Sequence, residues 1–180
     1  MSDDDELLAA WRAGDRVAGD ALIGRWFDPI CRFFRSKLGD DVEDLIQRTF
    51  LDCLESRERL REASFRSFLF AVARNRLFDE LRRGLRRPVD MLGTISIADL
   101  RSTPSLRVAR AQSADGIVQA MQALPLDLQI TLELAYWEGL SGPEIAAVLG
   151  VSEHTVRSRL SRARAQLRAQ LDPALSPNSA

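Results

Sequence analysis

Apolar residues recur through most of this chain at intervals of three and four residues, which is the spacing of one face of an α-helix. No stretch alternates convincingly between apolar and polar residues with the period of two that a β-strand would show. The helical pattern occupies two regions and is interrupted between them. It therefore predicts an all-α protein of two small helical domains joined by a flexible linker.

Four helices are expected in the first region. A short helix should end at Gly14, and a longer, aromatic-rich helix should end at Gly39, with Pro29 expected to kink or split it. A third helix follows at 41–54, and a fourth begins after Ser64, whose hydroxyl can cap it. The aromatic side chains of these helices are most simply core residues.

The domain boundaries are placed where the periodicity stops. Residues 88–113 contain two prolines and scattered apolar residues without a sustained period, which is typical of a linker. The first domain is therefore assigned to residues 1–87 and the second to residues 114–172. The remaining tail, 173–180, is expected to be disordered.

The second domain ends in a pattern that predicts a helix-turn-helix. Ser141, Pro143 and Glu144 have the form of a capping box with proline in the first helical turn. Gly150 is placed to end this short helix in a left-handed conformation, and Ser152 can cap a second helix two residues later. The result is a short helix, a tight turn and a longer helix, the outline of a helix-turn-helix.

The longer helix separates its residues by face. One narrow stripe is apolar and contains Val156, Leu160, Ala163 and Leu167. The outward residues are His154, Arg157, Ser158, Ser161, Arg162 and Arg168. A solvated charged face would explain such arginines on an arbitrary helix. Arginines interleaved with short polar residues after a capped turn favour a helix that reads the DNA major groove, because arginine can fork onto guanine or phosphate.

The charge distribution qualifies this interpretation. The chain has 180 residues and a net charge of −1, which does not by itself suggest a DNA-binding protein. Its arginines are nevertheless clustered, with six at 74–87 and five on the last helix, while acids gather at 3–6 and 40–44. Few phosphates would be neutralised overall, so we expect weak DNA binding by the protein alone and a requirement for a partner.

The composition argues against a zinc site and against a catalytic cysteine. Cys31, Cys53 and His154 are too few for a zinc site of the usual spacing, and a catalytic Cys-His pair has no support, so no cofactor is expected. Both cysteines are interpreted as core residues of a reduced, cytoplasmic protein. No apolar run approaches the length of a membrane span, and the acidic N-terminus is unlike a signal peptide.

Three segments together resemble one protein family. They are DVEDLIQRTFLDCLE, FRSFLFAVARNRLFDELRR and EGLSGPEIAAVLGVSEHTVRSRLSRARAQLR, in that order. They resemble the extracytoplasmic-function (ECF) sigma factors of the sigma-70 family. The resemblance implies a factor without catalytic residues that binds core RNA polymerase, at the clamp of its large catalytic subunit, and directs transcription initiation at promoter DNA. It also implies an anti-sigma factor as a further partner. No membrane insertion of this chain is expected.

The resemblance assigns residues to each contact. Residues 1–87 would form sigma region 2 and residues 114–172 sigma region 4. Contacts with core polymerase are implied for Asp41, Asp44, Gln47 and Phe50. Contacts with the −10 element are implied for Arg74, Asn75, Arg76, Asp79, Arg82 and Arg83, with the loop 55–63 gripping an extruded base. Contacts with the −35 element are implied for His154, Thr155, Arg157, Ser158, Ser161 and Arg162.

Some features depart from the family pattern or allow other interpretations. Leu54 and Phe68 stand where the family commonly has tryptophan, which affects the details of strand separation. The acids of the third helix could serve only to stabilise the helix dipole. One alternative function is a stand-alone helix-turn-helix regulator, which should bind duplex DNA unaided. Another is a helical module that binds polymerase without reading DNA, which should lack base-directed residues in both basic helices.

Overall fold

The computed structural model of the protein describes residues 3–56, 64–85, 92–101 and 116–171. Every regular element in these ranges is an α-helix, which confirms the all-α prediction. The first domain contains α1 (Asp3–Arg12), α2 (Arg16–Leu38), α3 (Glu43–Ser56) and α4 (Phe65–Leu85). The later helices are α5 (Ile97–Arg101), α6 (Gly116–Gln122), α7 (Leu126–Tyr136), α8 (Gly142–Leu149) and α9 (Glu153–Leu171).

The helix ends follow the local chemistry of the sequence. The carboxylate of Asp15 accepts the backbone N–H groups of Val17 and Ala18 at 2.9 and 3.2 Å and begins α2. Helix α2 then runs for 23 residues with Pro29 inside it, so the expected split does not occur. Ser64 accepts the N–H of Ser67 at 3.3 Å, as expected for the residue that caps α4.

Several predicted segments lie outside the described residues. These are positions 57–63 of the loop expected to grip an extruded base, positions 86–87 of the basic run, and positions 88–91 and 102–113 of the linker. Positions 114, 115 and 172 of the second domain and the tail 173–180 also lie outside them.

Part of the predicted linker is folded. Residues 92–101 include α5, and the side chains of Leu92, Ile97 and Leu100 are at most 2% exposed. These apolar residues lack helical periodicity because they fill a gap between the two domains and do not line one face of a single helix. The segment is therefore part of the core and contributes to the contact between the domains.

One continuous hydrophobic core spans both domains. It joins Phe34, Phe65 and Phe70 of the first domain to Leu126 and Ile130 of the second, all without measurable exposure. A smaller cluster lies wholly within the second domain and consists of Met121, Leu124, Leu128, Leu132 and Ala163. The two predicted domains are thus packed directly against each other.

A buried ion pair crosses the domain contact. Lys37, the only lysine of the chain, pairs with Glu133 of α7, and their side chains are 0% and 2% exposed. The ammonium group also donates to the carbonyl of Phe33 at 2.8 Å and to the hydroxyl of Ser36 at 3.0 Å. Gln129 donates to the other carboxylate oxygen of Glu133 at 2.8 Å. Burial lowers the pKa of Lys37, and the charge of Glu133 opposes that shift.

We expect Lys37→Ala to lower the free energy of unfolding by about 3–5 kcal/mol, because it leaves the Glu133 carboxylate buried without its partner. Chemical denaturation followed by circular dichroism measures this change. Arg48→Ala is the control, since Arg48 pairs with Asp44 at the surface and its loss should cost less than about 1 kcal/mol. The double variant Lys37→Met/Glu133→Leu should recover part of the loss. Equal effects of Lys37→Ala and Arg48→Ala would contradict a role for the buried pair.

Candidate nucleic-acid interface

Helices α8 and α9 form the predicted helix-turn-helix. The carboxylate of Glu144 accepts the N–H of Ser141 at 2.9 Å, which is the glutamate half of the capping box. The hydroxyl of Ser141 donates to the same carboxylate at 2.7 Å. Gly150 ends α8 in the left-handed region, with φ 65° and ψ 36°. Ser152 begins α9 by accepting the N–H of Thr155 at 3.2 Å. The short turn thereby fixes the direction of α9.

The outward face of α9 is accessible. Five of the residues predicted to contact the −35 element are exposed: His154, Arg157, Ser158, Ser161 and Arg162. The sixth, Thr155, is half-buried. Val156 and Ala163 are fully buried on the opposite face. The side chain of Arg157 is 70% exposed, and the acid that it pairs with among the described residues is Glu153, at 3.9 Å. This face can therefore approach a groove without disturbing the core.

Two other arginines of α9 bind side chains of α7. Arg159 donates to the carboxylate of Asp127 at 2.7 Å, and Arg164 donates to the hydroxyl of Tyr136 at 2.6 Å. The sequence analysis did not assign Arg159 a role. The sequence does contain one indication of this contact. Arg159 lies beside the apolar stripe of α9, where a long side chain can reach a neighbouring helix.

Helix α4 presents a second polar face. Asn75, Asp79 and Arg82 follow one another at helical spacing, and Asn75 is exposed. Arg82 pairs with Asp79 at 2.9 Å, and Arg83 pairs with Glu80 at 2.9 Å. These surface pairs are weak and leave both arginines able to exchange partners.

Two more of the predicted −10 residues are already engaged. Arg76 forms two hydrogen bonds of 2.7 Å with Asp52 and so ties α4 to α3. Arg74 stacks over the ring of Phe78 at 4.5 Å and lies 3.8 Å from the carboxylate of Asp127. Burial lowers the pKa of Arg74, with Asp127 opposing the shift and Arg159 adding to it. The structure therefore brings together Arg74, Asn75 and Arg82 around one polar pocket and directs Arg76 elsewhere.

The predicted polymerase-binding face is exposed with one exception. Asp41, Asp44 and Gln47 are at the surface, but Phe50 is only 7% exposed. Phe50 stacks on Phe27 with ring centroids 6.1 Å apart, as suits its position on the inward side of α3. This burial limits the surface that Phe50 offers to a partner, and its contact with polymerase stays a prediction. The exposed apolar residue on this face is Leu51, which is 46% exposed and lies two helical turns after Asp44.

Leu54 and Phe68, which stand at positions where tryptophan is common, are half-buried and pack against the core. Each fills an interior space, so the structure gives these side chains a packing role.

Charged groups also cross the contact between the helix-turn-helix and α4. Arg66 binds the carboxylate of Glu144 through two hydrogen bonds of 2.6 and 2.7 Å, and Ser64 donates to it at 3.0 Å. Burial would raise the pKa of Glu144, but the hydrogen bonds from Arg66, Ser141 and Ser64 outweigh that effect and lower it to about 2. The sequence identified Glu144 only as a capping residue, because a partner on a distant helix leaves no local pattern.

Within the described residues, no group of three or more histidine, cysteine or acidic side chains is arranged to hold a metal ion. None of the described helices is long and apolar enough to cross a membrane.

Two family models match the chain. Residues 22–87 match Sigma-70 region 2, and residues 114–167 match Sigma-70, region 4. Among characterised proteins, the ECF RNA polymerase sigma factor SigM of Mycobacterium tuberculosis is 33% identical over 168 residues, covering 91% of this chain and 82% of SigM.

Two solved structures have similar folds. The structure of CnrH in complex with the cytosolic domain of CnrY superimposes with a TM-score of 0.69 and 27% identity, covering 94% of this chain and 97% of CnrH. The sigma factor RpoE of Bartonella quintana, solved with the anti-sigma factor NepR, gives a TM-score of 0.67 over 84% of this chain and 95% of RpoE. Its 21% identity supports the fold alone.

Proposed function

Because this chain belongs to the ECF RNA polymerase sigma factors of the sigma-70 family, we propose that it divides promoter recognition between α4 and α9. As a sigma factor it binds core RNA polymerase, directs it to promoters and is not an enzyme. In our assignment, residues 1–87 contact polymerase and the −10 element, residues 88–113 connect the domains, and residues 114–172 read the −35 element. The exposed polar faces on these two helices carry the proposal.

Helix α9 is suited to a major groove because its exposed face combines long cations with short side chains. Ser158 and Ser161 allow close approach, and Arg157 and Arg162 lie on either side of them. Arg162 is assigned a base contact and Arg157 a contact with the DNA backbone. His154 and Thr155, near the start of the helix, complete the face.

We expect Arg162→Ala to relax the preference for one or two adjacent positions of the −35 element, because a forked arginine–guanine contact is worth about 1–3 kcal/mol of discrimination. Arg157→Ala should instead reduce transcription from every variant by a similar factor and flatten its salt dependence. Run-off transcription with core polymerase on a randomised −35 library measures both. The two variants are matched controls, since each removes one exposed arginine from the same helix.

If Arg162→Ala reduced transcription from all promoter variants by the same factor, the proposed base contact would be wrong. Nanomolar, sequence-specific binding by the free protein at physiological salt would instead support a stand-alone regulator.

Helix α4 is suited to single-stranded DNA because an amide, a carboxylate and two cations follow one face. Asn75 can donate to and accept from a base edge, and Asp79 can accept from one. Arg82 and Arg83 can follow the phosphates once they leave their weak surface pairs. We assign Arg74 a contact with the DNA backbone, for which it must leave the carboxylate of Asp127. Arg76 instead holds α4 in place by binding Asp52.

We expect Asn75→Ala to impair open-complex formation more than closed-complex binding, because Asn75 is assigned to an unpaired base. Permanganate footprinting measures opening, and mobility shifts on duplex DNA measure closed binding. A pre-melted template with an abasic site at the contacted position is the control, since it should remove the difference between variant and wild type. An equal defect in closed binding would show that the assigned role is incorrect.

The acidic face of α3 is proposed as the contact with core polymerase. Asp41, Asp44 and Gln47 provide exposed polar groups, and Leu51 provides an apolar patch beside them. Such a mixture gives an interface specificity through charge complementarity.

We expect Asp41→Lys/Asp44→Lys to weaken core binding while the fold stays intact, because exposed acids near a helix start contribute only about 0.3–1 kcal/mol each to stability. Fluorescence anisotropy with purified core measures affinity, and circular dichroism measures folding. Asp20→Lys, an exposed change on α2, should leave core affinity unchanged. Unchanged affinity in the double variant would mean that these acids serve only the helix.

The protein acts on RNA polymerase in the cell interior, and we place it in the cytoplasm. We also propose an anti-sigma factor as its inhibitory partner. The support comes from CnrH, which is 27% identical to this chain and was solved in complex with the cytosolic domain of CnrY.

A further inference from the structure

Helix α9 packs against the rest of the second domain through a narrow apolar stripe. Val156 and Ala163 are fully buried, and both have side chains smaller than leucine. Leu160 lies between them along the helix and is half-buried against both hydrophobic clusters. Apolar contacts attract without a preferred direction, so a stripe this narrow limits the rotation of α9 about its own axis only weakly. A directional contact is needed to fix which side chains face outward.

A hydrogen bond between α9 and α7 has the required direction. The guanidinium of Arg159 donates to the carboxylate of Asp127 at 2.7 Å, and the two side chains are 17% and 20% exposed. Asp127 lies in the first turn of α7, where the helix dipole favours a negative charge. Because both groups are charged and largely shielded from water, this bond is stronger than a pair at the open surface.

Arg159 lies in the middle of the segment assigned to the −35 element. It directly follows Ser158 and comes three residues, just under one helical turn, before Arg162. Within a rigid helix, the direction of one side chain fixes the direction of its neighbours. The bond to Asp127 therefore also sets where Ser158 and Arg162 point.

A small rotation of α9 would be enough to disturb base reading. The surface of an α-helix lies about 6 Å from its axis, so a rotation of about 20° moves a side chain there by about 2 Å. Hydrogen bonds to base edges need separations of about 2.7–3.2 Å, and such a displacement breaks them. A contact that restrains this rotation can thus decide how well bases are told apart.

We propose that Arg159 and Asp127 are positioning residues for −35 recognition. Arg159 binds Asp127 and does not contact DNA, and the pair holds the exposed face of α9 in the orientation that reads bases. This role deepens the proposed function and rests on it, since it requires that α9 read the −35 element. It makes a side chain of α7 a determinant of promoter specificity.

Two single variants remove the bond from opposite ends. Arg159→Ala and Asp127→Asn should each lower the preference for the best −35 sequence over its single-base variants about three- to tenfold. This is part of the roughly 5- to 150-fold discrimination that a forked arginine supplies. Asp127→Asn keeps the size of the side chain, so it tests the pair even if Arg159→Ala fails to fold. The double variant should lose no more preference than either single variant, because all three remove the same interaction.

The measurement is run-off transcription with core polymerase on the −35 library, expressed as a ratio between promoters. Such a ratio does not depend on the amount of active protein, so a variant that is only less stable leaves it unchanged. It is also independent of Arg74, which lies 3.8 Å from Asp127, because a backbone contact of α4 affects all −35 sequences alike.

Arg164→Ala is the matched control. Arg164 also binds α7, by donating to the hydroxyl of Tyr136 at 2.6 Å, but this bond is exposed and lies beyond the residues assigned to DNA. Its loss should change the −35 preference less than about twofold, because exposed polar pairs contribute little. A loss as large as that of Arg159→Ala would contradict a specific role for Arg159 and Asp127.

Three other results would overturn the positioning role. They are an unchanged preference in both single variants, a loss in Arg159→Ala alone, and additive losses in the double variant. A loss in the arginine variant alone would show that Arg159 acts on DNA itself. In each of these cases the wild-type protein still prefers certain −35 sequences, so the proposed function stands. A wild-type protein without any −35 preference would instead contradict the proposed function and the positioning role together.

Discussion

The buried pair between Lys37 and Glu133 fixes how the two halves of this protein meet. Each charge would be costly to bury alone. Both are tolerated because they face each other, because Lys37 also donates to the hydroxyl of Ser36, and because Glu133 also accepts from Gln129. Such a pair accepts little displacement, since a shift of either helix would leave a charge without its partner. The contact between α2 and α7 therefore sets the position of everything that follows α7.

Acidic residues of the second domain serve two purposes. Glu144 begins α8 and also binds Arg66 of the first domain, while Asp127 lies in the first turn of α7 and joins Arg159 to Arg74. These acids pair with arginines of other helices. The net charge of −1 thus reflects ion pairs inside the structure, because part of the positive charge is paired with acids of the same molecule.

The contact between the two domains is held by both apolar and polar groups. Separating the domains would expose apolar surface and break buried polar contacts, so any partner that parted them would have to supply contacts of its own. Residues 92–101 belong to this contact, since Leu92, Ile97 and Leu100 are buried in the core that both domains share.

The sequence by itself determined the helical class, the helix-turn-helix and the family. These depend on local signals: the glycine at 150, the serine at 152 and the periodic stripe through Val156 and Ala163 act within one or two helical turns. The inward position of Phe50 followed from the same periodicity, since it shares the buried face of α3 with Leu45 and Ile46. Only the tertiary structure decided which outward charges remain available. Periodicity gives the direction of a side chain relative to its own helix, but whether it meets water or another helix depends on contacts between distant parts of the chain. For that reason Arg162 is exposed at the surface, while Arg76, Arg159 and Lys37 are bound to acids of other helices. For the same reason residues 92–101 of the predicted linker are folded, although their apolar residues show no periodicity.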